Sequence, residues 1–409
     1  MLPITTMDIC DCAWLTQSIS ILNNKHRITL VSFLAYFVMS GMLAPIGIIS
    51  GPMSESFNLP LTEITAGFSW LTFGIFAGAV SALFLFSWIQ LKQLMLILYT
   101  VITACIVALF FQTETTFIWP LLGLIGLCAG TGLAGAALII SRTYDDDQRA
   151  SMLVITDGWF SLAGIVCSWI AIYLVSRQFH WSGSYQFIAL IAFTMLLLLF
   201  LSSLPNTKVE AGNEQSSEPW PLGVWLCVGA LFLFTLGQNS ILWWLPTYAE
   251  QFLNAPRDQA GSLVSQFWSG MFAAQLFVAW WVLKIGVQKL VIIAALTTAA
   301  GSVLMWSDPN IDRLVILALL WGFANLGLLK LTLSLATQML KVPSARLVSG
   351  LLLGASLGTA VSPWLTSQIV ELTSSRFILQ FGTGCYAGLL ILVFWSARLH
   401  RTYSRDELA

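Results

Sequence analysis

Charge is what this sequence has least of. Asp, Glu, Lys and Arg make up 9% of its 409 residues against 57% hydrophobic ones, and so little polar surface cannot cover a soluble globule of that size. Histidine is nearly as scarce: His26, His180 and His400 are the only three, all in flanks or tails. No HExxH or Walker A pattern occurs, and the one GxSxG string, Gly354 to Gly358, falls inside an apolar run, so the sequence holds no recognisable enzyme site, and with no soluble domain to bind a nucleotide an ATP-driven pump is not expected either. No cofactor is expected. A net charge of −1 offers nothing to attract nucleic acid. The opening segment, Met1 to Asn24, carries Asp8 and Asp11 and no uninterrupted apolar core, so it reads as a cytosolic tail and not as a cleaved secretory signal. Seven cysteines are scattered. Five of them (Cys105, Cys128, Cys167, Cys227, Cys385) sit in apolar runs, where a thiol behaves as a small hydrophobe. Cys10 and Cys12 lack the further ligands zinc needs, so no metal site is expected.

What is there instead is apolar length. Runs of about 18 or more residues recur from Thr29 to Ala397, each long enough at ~1.5 Å per residue to cross a ~30 Å hydrocarbon layer. A β-barrel would show shorter, alternating segments. The breaks between runs predict an all-α membrane protein of twelve transmembrane helices, near 28 to 50, 62 to 87, 93 to 112, 117 to 141, 150 to 175, 182 to 204, 221 to 249, 259 to 283, 288 to 307, 313 to 340, 344 to 370 and 377 to 398. Placing the amino terminus in the cytosol puts thirteen Lys and Arg on the inner flanks. Only Arg177, Arg257, Arg313 and Arg376 then fall outside, which predicts that both termini are cytosolic. The polar stretch from Pro205 to Pro221 follows the sixth span and reads as a flexible hinge. The expected plan is a tail over 1–26, a six-helix half over 27–204, a central cytosolic loop over 205–220, a second half over 221–398 and a tail over 399–409. A shift of about 196 residues brings Gly41 onto Gly237 and Gly126 onto Gly322. That direction is the one expected of parallel halves around an axis normal to the membrane.

Charges inside the spans are the best site candidates, because each costs at least about 2.5 to 3.5 kcal/mol at mid-bilayer. Asp157 lies eight residues beyond Arg149, roughly 12 Å into span five. Ser161, Gly164 and Ser168 continue its face at helical spacing. Lys330 sits near the middle of span ten, with Gly327, Ser334 and Thr337 on its face. Both residues fit a water-filled interior, or a structural role paired with each other or with backbone carbonyls. Gln238 and Asn239 in span seven, Gln266 and Gln275 in span eight and Asn325 in span ten can bind a solute or join helices. Trp268 is one of four tryptophans able to stack on a ring-shaped solute, in a chain where most of the 18 are packing or interfacial anchors. Pro45 and Pro246 fit bends, and the glycines of span four (Gly123, Gly126, Gly130, Gly132, Gly135) fit close helix contact.

Four segments carry a resemblance. FNLP (Phe57 to Pro60), TDGWFSLAG (Thr156 to Gly164), GSLVSQFWSG (Gly261 to Gly270) and KVPSARLV (Lys341 to Val348), in order and at fitting intervals, resemble the TsgA-like branch of the major facilitator superfamily, related to the fucose permease group of proton symporters. The resemblance covers about Asn24 to Leu399. It implies a multi-pass protein of a bacterial inner membrane that moves a sugar or similar small solute with protons by alternating access, through a cavity lined by spans one, four, seven and ten. Asp157 belongs to the matched TDGWFSLAG segment. Lys330 departs from the uncharged residue usual there and points to an anionic solute. The acidic proton sites of the fucose group do not carry over, since spans one and four hold no Asp or Glu. Nor does the usual loop motif between spans two and three, which here reads SWIQLKQ (Ser87 to Gln93). The residues expected in the substrate or proton pathway are Asp157, Lys330, Gln238, Asn239, Asn325, Trp268, Gln266 and Ser161. The alternatives that stay open are an exporter of toxic compounds with the same fold, and a transporter-like sensor or assembly protein that moves nothing.

Overall fold

The computed structural model describes residues 8–204, 220–325, 327–340 and 345–406. These form fifteen helices and, among the described residues, no strand. In chain order they are α1 (Asp8–Leu43), α2 (Ile46–Phe57), α3 (Leu61–Gly67), α4 (Ser69–Trp88), α5 (Leu91–Phe110), α6 (Thr115–Thr143), α7 (Asp146–Ser176) and α8 (Gly183–Phe200). After the central segment come α9 (Leu222–Phe252), α10 (Arg257–Ile285), α11 (Val287–Ser307), α12 (Ile311–Asn325), α13 (Gly327–Thr337), α14 (Ala345–Leu372) and α15 (Ser375–Asp406).

Eleven helical stretches among the described residues are long and apolar enough to cross a membrane. The expected span at 259 to 283 falls on α10, a helix of 29 residues. Two expected spans are each built from two helices. Pro45 separates α1 from α2, since proline has no N–H to continue the ladder. Phe68 separates α3 from α4; α12 and α13 together make up span ten. Pro246, expected to mark a bend, lies inside an uninterrupted α9. The segment expected as an amino-terminal tail is helical from Asp8 onward. The Cys10 and Cys12 side chains, the central segment 205–219 and the first four residues of KVPSARLV lie outside the described residues.

The helices sort into two sets. In the first, α6 packs along α4, α5 and α1, and α1 also meets α7 and α8; in the second, α9 packs along α14 and α15, while α12 joins α10 to α11. The sets meet along two seams, α7 against α10 and α14 against α3 and α4, with α2 touching α9 between them.

The offset of about 196 residues reappears in these contacts. Gly126 of α6 lies against the Leu71 carbonyl of α4, and Gly322 of α12 lies against the Phe267 carbonyl of α10. Reciprocally, Gly74 faces the Gly123 carbonyl and Gly270 the Leu319 carbonyl. Gly41 abuts Ile188 of α8, and its counterpart Gly237 abuts Gly382 and Cys385 of α15. The seams between the sets follow the same rule: Thr72 donates to the Ala360 carbonyl at 2.9 Å, and Trp268 lies flat on Gly164. Close approach of this kind is what small residues provide where lipid supplies no hydrophobic drive for helix association.

One end of the bundle carries the start of α1 and the end of α15. There Asn24 donates to the Ser203 carbonyl and Ser396 to the Gly223 carbonyl. At the opposite, far end the two sets close over each other. Arg257 grips Glu55 with two hydrogen bonds, of 2.5 and 3.3 Å, and Gly47 rests on the Trp243 carbonyl. The hydrogen bonding from Arg257, helped by its charge and against the opposing effect of burial, lowers the Glu55 carboxyl from its ordinary value. The clamp is therefore intact at neutral pH and is lost only as pH falls through that lowered value.

Burial tells the same story along the two central helices. From Phe37 to Ser50 every residue except Leu43 is buried, and from Ser240 to Ala249 every residue except Thr247 is buried. Toward the terminus-bearing end the same helices open on one side, at Arg27, Leu30, Phe33 and Tyr36 and at Trp225, Val228, Phe232 and Thr235. The two central helices are thus closely packed at the far end and more exposed toward the other.

A side chain at Gly126 has nowhere to go, whereas Gly51 in α2 has open space around it. Gly126→Ala is expected to lower the melting temperature of the purified protein, by the equivalent of about 1–3 kcal/mol for overpacking. Gly51→Ala is expected to hold or raise it, since alanine favours helix by up to about 1 kcal/mol. Equal melting of the two variants would refute the tight seam.

Candidate functional site

Asp157 stands eleven residues into α7, and Lys330 is the fourth residue of α13. The structure brings them together: Lys330 Nζ lies 2.6 Å from Asp157 Oδ2, an ion pair from one set of helices to the other. The side chains keep 32% and 35% of their surface exposed, respectively. That exposure faces the space between the sets. On α13, Leu328, Leu331, Leu335 and Ala336 are buried on the side packed by α9, α11 and α14. Leu329, Lys330, Leu333, Ser334 and Thr337 form the opposite, open face, which is the one that meets Asp157. Gly327, expected on that face, is buried against Leu331 and Ala294 instead.

The surroundings of the pair come from three helices. From α10, Gln275 donates its amide to Ser161 Oγ at 3.0 Å and to the Asp157 carbonyl at 3.3 Å. Gly158, beside the aspartate, faces Gln275 and Phe272 of α10. From α1, Phe33 stacks on Trp159 with ring centres 5.3 Å apart, and Tyr36 lies within electrostatic reach of Asp157. Tyr36 and Phe33 were not among the expected site residues; the signal available was Tyr36's position as the one tyrosine in the first apolar run. Gln275 was recognised as polar but not placed with Asp157. Nothing in local spacing connects residues 118 positions apart.

The other expected residues divide. Ser161 is at the pair, buried and bonded to Gln275. Trp268 lies one step further along the α7–α10 seam, between Phe160 and Phe267 and upon Gly164. It packs the seam and is 5% exposed. Gln266, half-buried, sits on the same helix. Asn239 donates to Thr359 Oγ1 at 3.0 Å, one rung of a polar ladder joining α9 to α14 with Thr235 to the Ala355 carbonyl and Trp244 to Thr366. Asn325 is fully buried and accepts from Tyr386 at 3.1 Å, tying α12 to α15. Gln238 is buried beside Asn239, with its side-chain oxygen lacking a protein partner. Of the eight, only Asp157, Lys330 and Ser161 converge. Among the described residues no group of three or more His, Cys, Asp or Glu is arranged to hold a metal. A groove of about 490 Å³ opens elsewhere, at the far ends of α7 and α10, lined by Trp169, Tyr173, Asp258 and Ser262 among others; none of the expected residues lines it.

Known proteins agree with this architecture. The sequence profile described as Major Facilitator Superfamily matches residues 28–254. The TsgA homolog of Serratia proteamaculans is 26% identical over 377 residues, covering 90% of this chain and 95% of that protein. Protein TsgA of Escherichia coli O6:K15:H31 is 27% identical over 383 residues, covering 91% and 95%. Among solved structures, the nucleoside transporter NupG shares the fold with a TM-score of 0.72 at 13% identity, covering 91% of this chain and 99% of that one. The peptide transporter POT does so with a TM-score of 0.74 at 14% identity, covering 93% and 95%. A profile matching more than half of the chain, relatives that run through both sets of helices, and a shared fold with two transporters of unlike cargo lead to one placement: the chain belongs to the major facilitator superfamily.

Proposed function

We propose that this membrane solute transporter is a proton-coupled symporter of a bacterial inner membrane that works by alternating access. Asp157 takes up and releases the proton, and Lys330 attracts an anionic or sugar-like solute into the space between the halves. The observation that carries this reading is the ion pair. Among the described residues it is an acid–base contact within the spans that joins the halves, it lies between them, and a third of each side chain is exposed. A charge pair placed so is reachable by water and solute from one end, and the far end is closed by Arg257, Glu55 and the Gly47 contact. Rocking the halves about the α7–α10 and α4–α14 seams would open one end and close the other. Proton uptake by Asp157 would loosen the contact, since a neutral acid holds an ammonium far less firmly than a carboxylate does. Basic residues crowd the flanks at the parted end, which makes that end the cytosolic one in this reading.

A sensor or assembly protein of the same fold would be better served by a dry pair sealed on every side. The exposure of Asp157 and Lys330 favours transport.

A screen of melting temperature against sugars, organic acids, amino acids and nucleosides tests the proposal, since a ligand that binds the folded state alone raises its stability. At least one polar or anionic solute is expected to raise the melting point of the parent protein and not of Lys330→Ala. In proteoliposomes the same solute is expected to accumulate under an inward proton gradient, and Asp157→Asn is expected to abolish that accumulation. Gradient-driven uptake by Asp157→Asn at the parent rate would remove the carboxylate from the mechanism.

The pair also makes a stability prediction. Breaking a fully buried ion pair on one side costs about 3–5 kcal/mol, and partial exposure reduces this. Lys330→Gln and Asp157→Asn are each expected to melt below the parent, with the double variant Asp157→Asn/Lys330→Gln closer to it than the sum of the single losses. Strict additivity would mean that the two residues do not interact in the membrane.

A further inference from the structure

Charge accounting at the pair goes further, granting the proton-coupled reading above. In the structure the Lys330 ammonium is already neutralised: Asp157 Oδ2 lies 2.6 Å from it. An anion arriving at Lys330 therefore competes with the carboxylate of Asp157 for one cation. The two anions cannot both stay ionised there at low cost, because like charges sharing a site disfavour each other.

The remaining ionisable groups do not alter this balance. Of the helices packed against α7, α1 presents Tyr36 near Asp157 and carries Lys25, His26 and Arg27 at the terminus-bearing end. On α10, Gln275 beside the pair is uncharged, Arg257 and Asp258 stand at the far end, and Lys284 is nine residues beyond Gln275. On α2, Glu55 is held by Arg257. On α6, Arg142 is in the last turn and Cys128 is buried. On α8, Tyr185 donates to the Met42 carbonyl. The helices packed on α13 add Glu250 near the far end of α9, Glu371 in the last turn of α14 and Lys289 at the start of α11. On α7 itself, Arg149 lies eight residues before Asp157.

We infer that the loaded site holds one proton and one singly charged anion together, so that the substrate is a small organic monoanion and the transport cycle moves no net charge. Empty, the site is Asp157 carboxylate with Lys330 ammonium and sums to zero. Loaded, Asp157 carries the proton, its oxygen leaves Lys330, the anion takes that place, and the site again sums to zero. A dianion would leave one negative charge uncompensated. A neutral sugar loaded with a proton would leave Lys330 unpaired. Only the monoanion lets both forms of the carrier rock through the membrane without a bare charge, which hydrocarbon penalises heavily. The open face of α13 supplies Ser334 and Thr337 as further polar contacts, and the stacked Phe33 and Trp159 supply an apolar wall for the body of the solute.

The test uses the purified full chain in proteoliposomes, with protein-free liposomes as control. Lactate, gluconate and ethanesulfonate serve as monoanions, succinate as dianion and fucose as neutral solute. A gradient with the interior alkaline is expected to drive accumulation of at least one monoanion, with one proton entering per solute by a trapped pH dye. A potassium–valinomycin potential of about 100 mV of either sign, a large force on any net charge moved, is expected to change the rate less than twofold. Binding read by melting shift is expected to strengthen up to about tenfold per unit fall in pH while Asp157 is ionised. That dependence should vanish in Asp157→Asn, and binding itself should be lost in Lys330→Gln. Potential-driven accumulation, a proton ratio other than one, or movement of succinate or fucose alone would overturn the charge assignment and leave proton-coupled transport standing. If no solute moves or shifts the melting point, the transport reading falls, and this inference with it.

Discussion

A lysine and an aspartate that neutralise each other across the middle of the molecule meet two demands with one contact. Either residue alone would be an uncompensated charge in a low-dielectric interior, and both are too far from the helix ends to escape by a simple reorientation. Together they are tolerable, and the tolerance depends on how the two halves sit. Asp157 belongs to α7 and Lys330 to α13, so the contact exists only while α7 and α13 face each other at this separation. Anything that neutralises one partner alters the force between the halves. That dependence is what a carrier needs in order to turn a binding event into a change of shape.

The frame around the pair is nearly free of charge and is built by close contact instead. Gly126 on the Leu71 carbonyl, Gly322 on the Phe267 carbonyl, Gly41 beside Ile188 and Gly237 beside Gly382 bring helices together where no side chain fits. Contacts of this sort make rigid bodies, because separating them costs dispersion energy all along the helix. The seams between the halves share such contacts, Gly47 on the Trp243 carbonyl among them, and add others of a more exchangeable kind. A single hydroxyl on the Ala360 carbonyl, an indole on Gly164 and an exposed arginine clamp at Glu55 are contacts that can be exchanged. Stiff halves joined by replaceable contacts concentrate motion at the interface.

How much of this was legible in the sequence follows from the length scale of each signal. Membrane spans show in local composition, and the expected boundaries lie within a few residues of most helices. The break at Phe68 does not, because it depends on neighbours in space. Asp157 and Lys330 stood out because a charge in an apolar run is costly wherever it is placed. Their pairing was one reading among several, since 173 positions separate them and local spacing gives no register between the halves. Tyr36 and Phe33 look like ordinary apolar or interfacial residues until α1 is laid against α7. Asn325, Asn239 and Trp268 are the reverse case. Each looks functional by type, yet the partners in reach are Tyr386, Thr359 and Gly164, and structural bonding claims them.

The repeat sharpens the argument for where the chemistry lies. The offset that maps Gly41 onto Gly237 and Gly126 onto Gly322 maps Lys330 back onto Ala134 and Asp157 forward onto Leu353. The glycine contacts thus obey the repeat, and the charges break it. A scaffold of two like halves has no structural need for a lysine in one tenth span and none in its counterpart, because the fourth span folds in the same manner with alanine there. The charge is carried at a cost the frame does not require. Spans one and four have no acid to share the task, so in the proposed cycle it falls to the carboxylate that meets Lys330. Symmetry sets the shape of the frame, and the two ion pairs that join the halves, Lys330 with Asp157 and Arg257 with Glu55, both depart from it; of these, the pair within the spans is the one the proposed cycle uses.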